Sequence, residues 1–219
     1  MPDTRINELV RMWIDGWVVS RGGSDPIEEP WGWTIDVGQP RHVARHVLPV
    51  PSEADVRKIA AATSAPGTWL KLFAEERTVL PWAGPGWRSD VAGFLMTCRL
   101  APEDPGLPDG YTLTRWSRGG VSRVLVRTRE GHFAARGQIG HAGAHVVVDQ
   151  VETAPEHRRK GLGRLVMRAL QGTGYEAGAR TGLLVGTPEG RALYSALGWT
   201  THSPMTSLCY EPSAPAGGR

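Results

Sequence analysis

Cysteine is scarce: Cys98 and Cys209 are the whole complement of a 219-residue chain. Two thiols make no disulfide framework, and neither stands in a Cys-x-x-Cys or Cys/His spacing of the kind a zinc site uses. A reducing compartment fits. Long apolar runs are missing too: Met1-Pro2-Asp3-Thr4-Arg5 leads into an amphipathic stretch carrying Glu8 and Asp15, with no secretory apolar core and no membrane-length run. A soluble, unexported, cytoplasmic protein without membrane contact is expected. Charge of one sign is thin as well. Lys and Arg number 25 against 22 for Asp and Glu, a net +3. The pI of 9.1 therefore describes a solvated surface, since no basic block is present to suggest a nucleic-acid partner. His141, His145 and His157 have no Cys, His or Asp partners at ligand spacing, so no metal is assigned.

What is present is enough for a full core, in one large domain or two small ones, with 40% hydrophobic and 21% charged residues. The most informative stretch is Val151-Glu152-Thr153-Ala154-Pro155-Glu156-His157-Arg158-Arg159-Lys160-Gly161-Leu162-Gly163-Arg164, an apolar strand entering a glycine-hinged helix start. The first N–H groups of a helix lack internal partners and carry partial positive charge, which suits a pyrophosphate. Two common phosphate motifs are excluded. No Gly-x-x-x-x-Gly-Lys-Ser/Thr occurs, and a dinucleotide fingerprint fails because Met167 follows Gly161 and Gly163 at the third-glycine position.

The Arg158-x-x-Gly161-x-Gly163 pattern resembles the acyl-coenzyme A loop of the GNAT superfamily of N-acyltransferases, Gln/Arg-x-x-Gly-x-Gly/Ala. A second block at the expected distance strengthens it: Thr187-Pro188-Glu189-Gly190-Arg191-Ala192-Leu193-Tyr194-Ser195-Ala196-Leu197-Gly198-Trp199 is similar to that family's terminal helix, Leu-Tyr-x-x-Leu-Gly-aromatic. The resemblance spans roughly Tyr111 to Tyr210, about half the chain. It implies an α+β fold, an antiparallel meander followed by a β-α-β unit with a V-shaped cofactor cleft, to which an N-terminal α/β half is added.

Periodicity and caps predict helices over Arg5 to Val19, Ser52 to about Ala62 and Leu162 to about Gly178, and a further helix after Thr187; the pattern over Thr68 to Leu80 is ambiguous and is read as a short helix. Strands are expected at Trp31 to Gly38, Val43 to Leu48, Gly93 to Leu100, Tyr111 to Trp116, Val121 to Thr128, Phe133 to Ile139, Ala144 to Thr153, Gly182 to Val185 and Met205 to Tyr210. Loops are expected over Ser24 to Pro30 and Pro81 to Asp90. The Pro-, Gly- and acid-rich run Ala101 to Gly110 is the expected boundary. It gives residues 1–105 as a Trp-rich half, 106–211 as the catalytic domain and 212–219 as a disordered tail. The family inserts helices between its first two strands, and here only Ser117 to Gly120 intervenes, so the N-terminal half is expected to wall the acceptor site. Trp13, Trp17, Trp31, Trp33, Trp69, Trp82 and Trp87 lie in that half. They are either pocket lining or plain core.

Acyl transfer from a thioester to an amine needs positioning, a proton acceptor, a stabilised oxyanion and a proton donor. The resemblance places the pyrophosphate on backbone N–H groups from Arg159 to Arg164, including Lys160 and Leu162, with the pantetheine arm and oxyanion on the backbone of Val151, Glu152 and Thr153. Arg158, Arg159, Lys160 and Arg164 add positive field. Tyr194 takes the general acid position. A phenol near pKa 10 and a thiol near 8.5 differ by only about 2 kcal/mol, which a buried site can reverse. Glu152 is the first choice of base, with Asp149 and His145 as fallbacks; Thr187 stands where many relatives have a cofactor-contacting asparagine. The expected activity is acetyl transfer from acetyl-coenzyme A, or another acyl-coenzyme A, to a primary amine of a small molecule, by direct attack in a ternary complex of a monomer or homodimer. Alternatives are protein N-terminal or lysine acetylation, and a non-catalytic acyl-coenzyme A sensor.

Overall fold

In the computed structural model, residues 2–212 are described; of the expected tail, 213–219 lie outside them. In chain order the elements are helix α1 (Pro2–Arg21), strands β1 (Ile27–Glu29), β2 (Gly32–Gln39) and β3 (His42–Leu48), helix α2 (Glu53–Ala62), β4 (Thr68–Leu72), α3 (Glu76–Ala83), β5 (Trp87–Ser89) and β6 (Gly93–Arg99). After these come β7 (Tyr111–Arg118), β8 (Val121–Thr128), β9 (Phe133–Ala142), β10 (His145–Thr153), a single 3-10 turn at Pro155–His157, α4 (Leu162–Glu176), β11 (Thr181–Gly186), α5 (Pro188–Ala196) and β12 (Thr200–Tyr210).

Three expectations are corrected here. Thr68 to Leu80 is not one helix: residues 68–72 form β4, and α3 starts only at Glu76. Four of the five β4 residues are buried, so both faces carry apolar or satisfied groups and the alternation that marks a strand is missing. The supposed loop Pro81 to Asp90 contains the end of α3, including Pro81, and the short strand β5. The stretch 24–30 likewise contains β1.

Among the described residues the chain divides into two compact units, one of residues 2–10, 23–94 and 203–212, the other of 11–22 and 95–202. The division departs from a boundary at 105/106: residues 11–22 and 95–105 group with the later sequence, and 203–211 with the earlier.

In the first unit the order is β1-β2-β3-β4-β12, with β5 also on β12. β3 and β4 run parallel in unbroken register from Ala44↔Thr68 to Leu48↔Leu72, joined through α2. Ser52 caps α2 by accepting from the Asp55 N–H at 3.1 Å. Leu48, Val56, Ile59, Leu70, Leu72, Val79, Trp87 and Leu208 form its core, with Trp31 and Trp82 packed against it. Trp33 and Trp87 are buried here, and in the other unit Trp13 and Trp17 are buried with ring centroids 6.3 Å apart. These tryptophans are core; Trp69 and Trp31 border hollows of the first unit.

The second unit orders its strands β6-β11-β10-β9-β8-β7. β7 to β10 form the antiparallel meander, β7 and β8 meeting in a tight turn through Gly119 and Gly120, both at positive φ. α4 lays Leu162, Leu165, Val166, Ala169 and Leu170 inward. A Cβ on Gly137 of β9 would lie 2.7 Å from Val166 and 2.9 Å from Leu170, so the helix rides directly on this strand. The end of α1 packs equally close. A Cβ on Gly140 would stand 2.0 Å from the Gly16 carbonyl oxygen, and one on Gly16 would stand 2.5 Å from Val147.

Candidate active site

β10 and β11 pair in parallel at His145↔Thr181, Val146↔Gly182 and Val147↔Leu183, and no further. β10 nevertheless continues to Thr153 and β11 to Gly186. Beyond Val147 the two strands therefore part, and the backbone edge of β10 is released on that side. The parting coincides with a bulge. β10 advances from Asp149↔Gln138 to Glu152↔Arg136, three steps against two on β9, and Gln150 takes φ +54 to absorb the extra residue.

Asp149 holds this bulge. Its carboxylate accepts from the Gln150 N–H at 2.9 Å, from Ser20 Oγ at 2.8 Å and from Arg21 Nη2 at 2.8 Å, with Arg21 Nε on the second oxygen. Arg21 and Ser20 end α1, so the second half of that helix is built into this unit. The Asp149 carboxylate is thus committed to the bulge and to the end of α1. His145 lies at the other end of β10, eight residues from Thr153, and burial lowers its pKa. Neither fallback base stands in the cleft.

The opening between the strands is a cleft of about 570 Å³. Val151, Glu152 and Thr153 line one side, Thr187 and Tyr194 the other, and Arg158, Arg159, Gly161, Leu162, Gly163 and Arg164 the base. Of the expected cofactor residues only Lys160 is not among its lining. His157, Glu189, Gly190 and Leu193 also line it; all four stand inside the two motif blocks, none with a cofactor role assigned from the sequence. His157 Nδ1 meets the Tyr111 hydroxyl at 3.1 Å, which ties the loop to β7.

Gly161 is the N-cap of α4 at φ +80, a left-handed geometry that glycine takes freely, and it brings no side chain to occupy the first N–H groups. Arg159 also stands at φ +60. Left-handed Gly161 followed by the right-handed first residues of α4 turns successive backbone N–H groups toward one side, a concavity suited to an anion. A Cβ on Gly163 would lie 3.0 Å from Leu193, so this glycine lets α4 and α5 approach. The corresponding β-α turn of the first unit lacks all of this: Ser52 occupies an N–H of α2, Glu53 and Asp55 place negative charge in its first turn, and β3 and β4 do not part.

Tyr194 is buried, and its ring lies in a slot between two glycines. A Cβ at Gly186 would come 2.7 Å from the ring and one at Gly190 2.8 Å. Burial, helped by the Asp149 charge, raises the phenol above its usual pKa, so it holds its proton. Glu152 is half exposed and accepts from Arg136 Nε at 2.9 Å. Thr187 caps α5, its Oγ1 accepting from the Gly190 N–H at 3.2 Å, so its hydroxyl serves the helix.

The residues fit a phosphorylated thioester: a concave run of N–H groups with Arg158, Arg159 and Arg164, a released strand edge for an amide-bearing arm, and a protonated phenol. The comparisons agree. The model of the acetyltransferase (GNAT) family matches residues 90–199, half of the chain. The chain belongs to the GNAT acetyltransferase family.

Solved structures show the same fold. A GCN5-related N-acetyltransferase from Kribbella flavida superposes with TM-score 0.67 at 18% identity, covering 97% of this chain and 96% of that one. A GCN5-related N-acetyltransferase-like protein from Streptococcus suis gives TM-score 0.58 at 13% identity over 95% and 99%. A GCN5-related N-acetyltransferase from Sphaerobacter thermophilus gives 0.52 at 14% over 67% and 61%. At these identities the likeness is one of fold. No curated protein matches. Among the described residues no helix is long and apolar enough to cross a membrane, and no cluster of three metal-ligating side chains occurs.

Proposed function

We propose that this GNAT protein transfers an acetyl group from acetyl-coenzyme A to the primary amine of a small molecule, by direct attack in a ternary complex. One observation carries the proposal: a buried phenol kept protonated faces the same cleft as the glycine-hinged N–H groups of α4. The N–H groups of the loop, with Arg158, Arg159 and Arg164, would hold the diphosphate, and the released edge at Val151, Glu152 and Thr153 the thioester arm. As the amine nitrogen bonds to the carbonyl carbon, its proton passes to Glu152, directly or through water, and Arg136 keeps that carboxylate in place. Backbone N–H groups of the same edge take the charge growing on the carbonyl oxygen. The carbon–sulfur bond breaks and Tyr194 gives its proton to the sulfur.

Buried free thiols at Cys98 and Cys209 favour a reducing, cytoplasmic setting for this activity. The test is thiol release from acetyl-coenzyme A against amino acids, polyamines, aminoglycosides and peptides. Turnover of a small amine, reduced at least about tenfold in Tyr194→Phe, supports the assignment. Release with peptides alone would favour protein acetylation, and coenzyme A binding without release on any amine would favour a sensor.

A further inference from the structure

A second hollow, of about 460 Å³, opens on β7 to β10 and shares Glu152 with the cleft. Its floor follows from register. Trp116 pairs with Arg123 and Arg123 with Gln138, while in the next row Leu125 pairs with Arg136 and Arg136 with Glu152. Arg136 and Gln138 flank Gly137, whose missing Cβ points at α4, so their side chains stand on the opposite face of the sheet.

The polar groups on this face have different commitments. Gln138 donates to the Ser20 carbonyl and hydroxyl, both at 2.8 Å, so the end of α1 fixes its amide. Arg136 is engaged by Glu152. Arg123, by contrast, has no carboxylate partner among the described residues. Around it stand two large aromatic side chains open to solvent, Trp116 at 43% and Phe133 at 39% exposure. An unpaired guanidinium fork beside bare aromatic surface suits a carboxylate attached to an apolar body.

We infer that this hollow is the acceptor subsite and that it selects an amine bearing a carboxylate and an aromatic or bulky apolar group, the chemistry of an aromatic amino acid. Arg123 takes the carboxylate, Trp116 and Phe133 pack on the apolar group, and the amino group lies at Glu152, where hollow and cleft meet. This assignment rests on the transferase reading of the cleft and adds the substrate class to it.

The test uses the full chain saturated with coenzyme A and two probes, N-acetylphenylalanine and N-acetylphenethylamine, which differ only in the carboxylate. The expected result is at least about tenfold tighter binding of the carboxylated probe, with the ratio of the two affinities falling close to unity in Arg123→Ala and to an intermediate value in Arg123→Lys. Thermal melts of both variants report their folding. Equal affinity for the two probes, binding of neither, or a ratio unmoved in both folded variants overturns the inference. Thiol release with phenylalanine is measured separately: selectivity for the carboxylate without release removes the transferase reading and leaves the carboxylate subsite standing.

Discussion

The guanidinium of Arg21, last residue of α1, grips the carboxylate of Asp149 through two nitrogens, and the same carboxylate accepts the N–H of the bulge residue Gln150. A contact spanning 128 positions of sequence thereby fixes the point where β10 leaves β11. Burial of Asp149 makes the pair more than a surface ornament, its side chain being 13% exposed against 39% for Arg21. Arg21→Ala is expected to cost about 1–3 kcal/mol, since it strands a largely buried carboxylate. Chemical denaturation measures that loss, and an unchanged midpoint would refute the anchoring role.

The approach of α1 to β9 gives a sharper stability prediction. Gly140→Ala would place its methyl carbon 2.0 Å from the Gly16 carbonyl oxygen, against backbone that has no rotamer to yield. A loss of about 1–3 kcal/mol or more is expected. Thermal melts of the wild type and Gly140→Ala measure it, and an unchanged melting point would contradict the packing.

Tyr194 should ionise late. Its folded pKa lies above the ordinary value of 10.0 because burial penalises the phenolate. The raised value means the unfolded chain loses this proton first, so stability falls as pH rises past the ordinary tyrosine range. In a tyrosinate absorbance titration one of the four tyrosines should ionise above pH 10 in the native protein, and that step should vanish in Tyr194→Phe. A Tyr194 that ionises at or below its ordinary value would make a poor case for a phenol held protonated.

Cys98 is buried against Gln171, and burial pushes its thiol up to about 11. With so small a thiolate fraction at neutral pH, the folded protein should resist thiol reagents, and both free cysteines should react once it is unfolded. Rapid labelling of Cys98 in the native protein would contradict this.

Much of the second unit is legible in the sequence because its signals are local. Gly161 and Gly163, Thr187 and Glu189 of the α5 start and the Leu193-Tyr194 pair carry their geometry in short runs, and the structure brings these residues into one cleft. β4 reads as helix in the sequence because Thr68-Trp69-Leu70-Lys71-Leu72 is buried on both faces and shows no alternation. The bulge at Gln150 has no glycine to announce its positive φ. The role of α1 depended on close passage of Gly16 and Gly140, far apart in sequence, and the Arg123 row on strand register; neither is written in any short segment.

Calorimetric titration with coenzyme A addresses the grip of the α4 turn on a diphosphate without needing an acceptor amine. Saturable heat with one molecule per chain is expected for the wild type, weakened at least about tenfold in Gly161→Val, where a β-branched residue is forced to φ +80 at the N-cap. No heat with the folded wild-type protein, or full affinity in a folded Gly161→Val, would contradict it.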